Sequence, residues 1–307
     1  MAKIYFFVLL LFMLVSPVWA VEPPAPAVVV SIKPLHSLVA GVMRGVASPL
    51  LLVKGGGSPH GYVLRPSEAR ALAKAQLVIW VGEDLESFLL KPLKTFGQST
   101  NQLKLSEQLQ DYLLMKRQGG SWGKHLHRHS HREESADFHI WLDPALAKQI
   151  VVLTGDRLSE IDPAHASLYR SNTAALIKKL DRLDHSLRGQ LEPVKDVPYV
   201  VFHAAYQYFE SAYGLNAVGS ITIDPERQPG VKRIQEIRHK IKQLGARCVF
   251  SEPQFKSRLV ATVIEGTDAR TGVLDPLGGD LPAGEDAYFQ LMSRLAENLV
   301  AGLNQNR

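Results

Sequence analysis

The chain has 307 residues, of which 46% are hydrophobic and 21% are charged, and its formal net charge at pH 7 is +5. This length is enough for two lobes of ordinary domain size. The charge is mild and is not gathered into long basic blocks, which argues against a nucleic-acid-binding protein. The single cysteine, Cys248, excludes an intramolecular disulfide.

Residues 1–20 have the pattern of a secretory signal peptide. Lys3 precedes an apolar run from Ile4 to Val15, and a small-residue cleavage pattern follows as far as Ala20. The apolar run is short for a membrane span, although an uncleaved anchor is the alternative interpretation. We predict cleavage near Ala20 and a soluble protein exported to a bacterial periplasm.

Residues 21–160 predict a first α/β lobe. The β-branched run from Ala27 to Ile32 is continuous, as in a strand buried on both faces of a parallel sheet. Further apolar runs alternate with helical patterns, an order typical of a doubly wound fold. These strands are predicted at Ser48–Val53, Gln76–Val81 and Leu103–Leu105, and the helices at Leu35–Met43, Pro66–Lys74, Glu83–Leu93 and Pro144–Leu158.

Residues 119–137 interrupt this pattern. The segment lacks apolar periodicity and carries four histidines at a spacing of two, namely His125, His127, His129 and His131. Glycine, serine and charges of both signs lie around them, which predicts a mobile histidine-rich loop. The loop is either a metal-collecting segment or a solvated linker.

Residues 161–192 predict one long helix between two lobes. Asp162 suits the N-cap, and Pro163 suits the first helical position. Apolar residues then recur at helical spacing from Leu168 to Leu187. At roughly 1.5 Å per residue such a helix spans about 40 Å, so we expect a stiff connector that disfavours large hinge motion.

Residues 193–307 predict a second lobe built in the same way. Its strands are predicted at Pro198–Phe202, Leu215–Val218, Arg247–Phe250 and Thr271–Leu274, and its helices at Tyr206–Tyr213, from after Gly230 to Leu244, Lys256–Glu265 and Asp286–Leu303. The predicted fold class is therefore α/β, with two doubly wound lobes joined by one long rigid helix.

Four residues follow the predicted strands or begin an ordered segment after a loop: His60, His139, His203 and Asp275. In open α/β sheets ligands bind beyond the carboxyl ends of the strands, so these loops are expected to meet in one crevice between the lobes. Three imidazoles with a carboxylate or water suit Zn²⁺, although imidazole also suits copper and nickel. A capping or surface role is the alternative for each residue taken alone.

The segment from Ser58 to Pro66 resembles the H-x-Y-x-L-R-P segment of the zinc-binding substrate-binding proteins of ABC transporters, the ZnuA type. Further matching segments occur in the same order along the chain: Ser31–Pro34, His139–Pro144, His203, Pro225–Gly230, Ser251–Phe255 and Leu274–Gly278. The resemblance implies a periplasmic protein with zinc between two lobes, which passes the ion to a membrane permease driven by an ATPase. It also implies that His60, His139 and His203 are metal ligands, with Asp275 or water in the fourth position.

We therefore predict a monomeric, high-affinity zinc-binding protein without catalytic activity. The nearest alternative is the same scaffold carrying manganese, iron or another divalent metal. An exported zinc hydrolase is an alternative of another class, but no recognisable general-base spacing such as HExxH is present. An exported adhesin or sensor with a structural metal is a third. Glu252 and Arg65 either orient ligands or form surface ion pairs.

Overall fold

The computed structural model describes residues 24–96, 101–117, 122, 135–222, 225, 229–255 and 258–304. The predicted signal peptide and the four histidines of the 119–137 loop lie outside these residues. The described residues form two four-stranded sheets in which every strand pair is parallel. With the helices that connect these strands, the two sheets confirm the predicted α/β class.

The two sheets have the same strand order. The first contains β1 (Val28–Val30), β2 (Leu50–Leu51), β3 (Leu77–Trp80) and β4 (Asn101–Lys104), and the second contains β5 (Tyr199–His203), β6 (Ala217–Thr222), β7 (Cys248–Ser251) and β8 (Arg270–Val273). Their spatial orders are β2-β1-β3-β4 and β6-β5-β7-β8. In both sheets the first strand along the chain is therefore an interior strand with a neighbour on each side.

Helices connect and cover these strands. In the first half of the chain they are α1 (Lys33–Val42), α2 (Pro66–Lys74), α3 (Leu90–Phe96), α4 (Leu105–Gln108) and α5 (Pro144–Ile161). The remainder are α6 (Ala166–Leu191), α7 (Gln207–Tyr213), α8 (Val231–Leu244), α9 (Arg258–Ile264) and α10 (Ala287–Leu303). None of the helices in the described ranges is long and apolar enough to cross a bilayer.

Several predicted elements have different bounds in the structure, and two in the first half of the chain differ by several residues. The strand predicted at Ser48–Val53 shrinks to the two residues of β2. The helix predicted to begin at Glu83 begins only at Leu90, after a short 3₁₀ turn. The carboxylate of Glu86 explains the delay, because its Oε2 accepts hydrogen bonds from the amides of Val81 and Gly82 and closes a turn there.

The predicted long helix is present as α6 with 26 residues, shorter than the predicted 161–192 because a 3₁₀ turn precedes it, and it does not join the lobes alone. It packs against α5, α1 and α10, and α10 follows the second sheet in the chain. The backbone amide of Tyr288, in α10, donates to Ser37 Oγ of α1 at 2.9 Å. The side-chain amide Nδ2 of Asn172, in α6, also donates to the carbonyls of Val42 and Arg44, at 2.9 and 2.8 Å. One apolar core therefore continues from the first lobe into the second.

Candidate metal centre

Three of the four predicted ligands come together in the structure. His60, His139 and His203 each present one ring nitrogen, and these atoms lie within 4.8 Å of one another. The ring centroids are 5.6 Å apart for His60 and His139, 5.9 Å for His60 and His203, and 5.2 Å for His139 and His203. Residues separated by 79 and 64 positions in the chain (139 − 60 and 203 − 139) thus form one cluster between the two lobes.

His60 is held in a single 3₁₀ turn, Pro59–Gly61, that follows β2. Proline at the first position presets the backbone, and Ser58 Oγ accepts a hydrogen bond from the amide of His60 at 3.3 Å. Beyond the turn, the Tyr62 hydroxyl donates to Glu68 Oε1 at 2.9 Å and ties the loop to the first turn of α2. The Gly/Pro-rich sequence therefore gives a loop of defined shape, with the histidine near its centre.

His139 lies just before a buried 3₁₀ turn, Ile140–Leu142. Asp137 Oδ1 accepts a hydrogen bond from the His139 backbone amide at 3.0 Å and from its ring Nδ1 at 2.7 Å. The backbone of Asp137 is fixed in turn, because its carbonyl accepts from the Tyr208 hydroxyl at 2.7 Å. The side chain of His139 is only 8% exposed, so its orientation is set by these partners and not by solvent.

His203 is the last residue of β5, and Glu252 follows directly after the neighbouring strand β7. Because these strands are parallel neighbours, both side chains emerge at the same edge of the sheet. His203 Nδ1 bonds to Glu252 Oε1 at 2.6 Å, and both residues are buried, with exposures of 3% and 2%. A ligand role for His203 and an orienting role for Glu252 both fit this placement.

The two carboxylates determine what the rings can bind. In the neutral form, a ring whose Nδ1–H donates to a carboxylate has an acceptor lone pair at Nε2. The Nε2 atoms of His139 and His203 face each other at 3.3 Å. Two acceptors cannot hydrogen-bond with each other, so this arrangement calls for a cation between them. Zn–N bonds of roughly 2.0–2.1 Å in a tetrahedron place two nitrogens about 3.3–3.4 Å apart.

Burial and neighbouring imidazoles keep His60 in the neutral form. The pKa of His60 is lowered from 6.5 to about 2, mainly by burial and then by His139, His203 and Lys116 in that order of importance. Desolvation disfavours the charged ring, and like charges add to this effect. A deprotonated imidazole is the form that binds a metal ion, so the ring is prepared for ligation at neutral pH.

Asp275 is placed differently from the three histidines. Its Oδ1 accepts hydrogen bonds from Gln254 Nε2 at 2.7 Å and from the amides of Leu277 and Gly278 at 3.0 Å each. Its Oδ2 accepts from the amide of Gly279 at 2.6 Å. Among the residues that the structure describes, it does not join the group of ligand atoms formed by the histidines. In this conformation its carboxylate organises the loop after β8.

The sequence reading did not single out Asp137. Its spacing of two residues from His139 is the pattern that could have revealed it, because an aspartate can reach the backbone and ring of a residue two positions on. Trp141 closes another side of the cluster, with its ring centroid 5.3 Å from that of His139. The cleft is lined by Ser58, Pro59, His60, His139, Trp141, His203, Glu252, Gln254, Phe255, Pro276 and Leu277.

Known proteins resemble this chain over nearly its whole length. A sequence profile of the ZnuA family, described as "Zinc-uptake complex component A periplasmic", matches residues 28–302. The high-affinity zinc uptake system protein ZnuA of Brucella abortus (strain 2308) is 46% identical over 300 residues, which cover 89% of this chain and 90% of that protein. The protein of the same name from Yersinia pestis is 38% identical over 291 residues, which cover 90% of this chain and 91% of that protein.

The fold is also found among solved structures. The periplasmic zinc-binding protein TroA from Treponema pallidum superposes with a TM-score of 0.79 at 22% identity, covering 91% of this chain and 99% of that chain. At that identity the likeness supports the two-lobed fold alone. The sequence matches above carry the family assignment.

Proposed function

Because the chain belongs to the ZnuA family of periplasmic zinc-uptake components, we propose that it binds Zn²⁺ between its lobes and delivers the ion to a membrane importer. His60, His139 and His203 are the proposed ligands. The zinc ion is cargo, captured in the periplasm and released at the membrane. The mature protein is proposed to be an exported monomer whose signal peptide is removed near Ala20.

The pair of Nε2 atoms 3.3 Å apart, in His139 and His203, is the observation that carries this proposal. Their Nδ1 atoms bond to carboxylates, so both rings turn a lone pair toward the same point. A cluster of neutral imidazoles with two buried carboxylates behind it is suited to a divalent cation of borderline softness. This chemistry favours zinc over manganese, which prefers oxygen ligands.

The fourth position is proposed to be taken by water while the loop after β8 keeps this geometry. Asp275, the carboxylate predicted for that position, accepts four hydrogen bonds from Gln254 and the loop amides. It does not join the group of ligand atoms formed by the three histidines. A crystal structure of the zinc-loaded protein with an Asp275 oxygen within about 2.2 Å of the ion would overturn this assignment.

A binding role fits the site better than a catalytic one. A zinc hydrolase needs a carboxylate or imidazole placed to take a proton from the metal-bound water. The two carboxylates bonded to the cluster, Asp137 and Glu252, face imidazole Nδ1 atoms on the side away from the cluster centre. They therefore orient ligands and are not placed as general bases.

The test is zinc affinity of a His203→Ala variant, measured by competition with a chromophoric chelator. Removal of one of three protein ligands is expected to weaken binding by about a hundredfold or more, because the remaining site cannot complete a tetrahedron. His185→Ala removes an exposed histidine of α6 and is the matched control. An unchanged affinity in His203→Ala would eliminate the assigned site.

Metal selectivity and transport need separate measurements. Metal analysis after competition with Zn²⁺, Mn²⁺ and Fe²⁺ is expected to find zinc in the purified protein. Deletion of the gene is expected to impair growth under zinc limitation, with rescue by the parent but not by His203→Ala. A protein loaded mainly with manganese or iron would favour the alternative cargo.

A further inference from the structure

The loop that follows β8, residues 275–281 (the Asp275 loop), belongs to the second lobe along the chain but is fastened to the first. The carboxylate of Asp275 gathers amides on one side of the loop. Three backbone carbonyl oxygens of the loop accept hydrogen bonds from a side chain at the beginning of α1. The loop borders the histidine cleft through Pro276 and Leu277, so whatever holds it also shapes the cleft.

That side chain is Lys33, the first residue of α1. Its Nζ donates to the carbonyl oxygens of Gly278 at 2.5 Å, Gly279 at 2.8 Å and Leu281 at 2.7 Å. An ammonium group has three N–H donors, so all of them are used on one loop. Lys33 is only 5% exposed, and burial lowers its pKa while Asp275 and Asp280 raise it.

Two other contacts fasten the same loop to the first lobe. Trp141 Nε1 donates to the carbonyl oxygen of Pro276 at 2.8 Å. Gly279 packs directly against the glycines that lead into the His60 turn, since a Cβ added to it would lie 3.0 Å from Gly56 Cα and 3.5 Å from the Gly55 carbonyl oxygen. The loop is therefore held between Lys33 and the His60 loop.

We propose that Lys33 is an inter-lobe latch, a positioning residue that holds the Asp275 loop closed against the first lobe and thereby slows the release of zinc. The inference rests on the proposed zinc-binding function. Movement of the Asp275 loop away from the first lobe must separate the ammonium from three carbonyl oxygens. Charge-assisted hydrogen bonds in a buried position are among the stronger ones, so the need to break them on opening raises the barrier to that movement.

Lysine is better suited to this role than an apolar residue of the same length. Without the ammonium, three carbonyl oxygens would converge on a buried point with no donor, and the loop would adopt other conformations. The latch acts on opening and not on ligation, because Lys33 contacts the loop and none of the three histidines. It is therefore expected to affect the dissociation rate of zinc more than the association rate.

Lys33→Met is the first test, with Lys74→Met as its matched control, because Lys74 is an exposed lysine near the end of α2. Zinc dissociation is measured by stopped flow with an excess of chelator, and association is measured separately. Dissociation is expected to become about ten- to hundredfold faster in Lys33→Met, the size expected from losing charge-assisted hydrogen bonds. Association is expected to be unchanged or faster, and Lys74→Met is expected to behave as the parent.

Gly279→Ala weakens the same contact from the other side and keeps the proposal testable if Lys33→Met fails to fold. Its new Cβ would push against Gly56, so dissociation is expected to accelerate without removal of any donor. Gly230→Ala is the control, because a Cβ there meets nothing within 4 Å.

Three results would overturn the latch or its premise. Dissociation within about twofold of the parent in Gly279→Ala and in folded Lys33→Met would refute the latch. A loss of thermal stability in Lys33→Met with an unchanged dissociation rate would show a purely structural role. Failure of the parent protein to bind zinc would instead refute the proposed function, and the two failures are thereby distinguished.

Discussion

Replacing Glu252 by glutamine keeps the shape of the side chain but removes the charge that faces His203 Nδ1 across 2.6 Å. The amide oxygen of glutamine can still accept the Nδ1–H bond, so the ring keeps its tautomer. What is lost is the carboxylate charge, which raises the basicity of the ligating Nε2 and stabilises positive charge at the metal. The effect is strong here because His203 and Glu252 are 3% and 2% exposed, so water screens the charge little.

Outer partners of metal-binding histidines typically contribute 10–100-fold to affinity, which corresponds to about 1.4–2.7 kcal/mol. We expect Glu252→Gln to lower zinc affinity by that amount. The metal-free protein is not expected to lose comparable stability, because the change also removes a negative charge from a buried position. A lower zinc affinity together with an unchanged stability of the metal-free protein would show that the carboxylate acts on the ligand and that the lobe itself is intact.

The assay is a chelator-competition titration at pH 7.5, together with urea unfolding of the metal-free protein. Glu265→Gln is the control, since the Glu265 side chain is 78% exposed and pairs with Arg238 and not with a histidine of the site. Its zinc affinity should match that of the parent. If Glu252→Gln binds zinc within twofold of the parent, the carboxylate does not tune the ligand and the reasoning fails.

Two further predictions concern proton-linked stability of the metal-free protein. His60 has its pKa lowered from 6.5 to about 2, so the unfolded chain binds a proton that the folded protein excludes between these values. The contribution of His60 to stability is present above pH 6.5 and is lost as the pH falls below it. In urea unfolding at pH 7.5, 6 and 5, His60→Gln should reduce the slope of the unfolding free energy against pH by up to about 1.4 kcal/mol per pH unit. An unchanged slope would contradict this. Burial raises the pKa of Glu86 from 4.5 to about 7, so here the folded protein retains a proton that the unfolded chain releases, and stability is lost as the pH rises through this range. The unfolding free energy of Glu86→Gln minus that of the parent should therefore be about 3 kcal/mol larger at pH 8 than at pH 4.5. An equal difference at both pH values would show that Glu86 does not titrate as inferred.

The sequence predicted the elements that depend on local pattern. The apolar, β-branched runs of β1 and β5 indicated buried parallel strands, and both strands are fully buried. The helical spacing after Asp162 indicated the long helix α6. Positions at strand ends indicated His60 and His203, because the geometry of parallel sheets brings the loops after their strands to one edge.

What the sequence could not supply were contacts set by the shape of loops. Lys33 reaches carbonyl oxygens 245 to 248 positions away in the chain, from Gly278 to Leu281, and no periodicity encodes such a contact. Asp275 was predicted as a ligand from its place after a strand, but the backbone of its own loop presents three amides to it. The rotation of a carboxylate depends on these amides, and their directions follow from tertiary packing and not from residue type.

The charge around the cluster suggests why a divalent cation is the natural occupant. His139 and His203 are each bonded to a buried carboxylate, Asp137 and Glu252, whereas His60 bonds to none among the residues that the structure describes. Three neutral imidazoles with two carboxylates carry a formal charge of −2, which Zn²⁺ cancels. Uncompensated buried charge is costly, so the metal-free site is poised to take up a +2 ion.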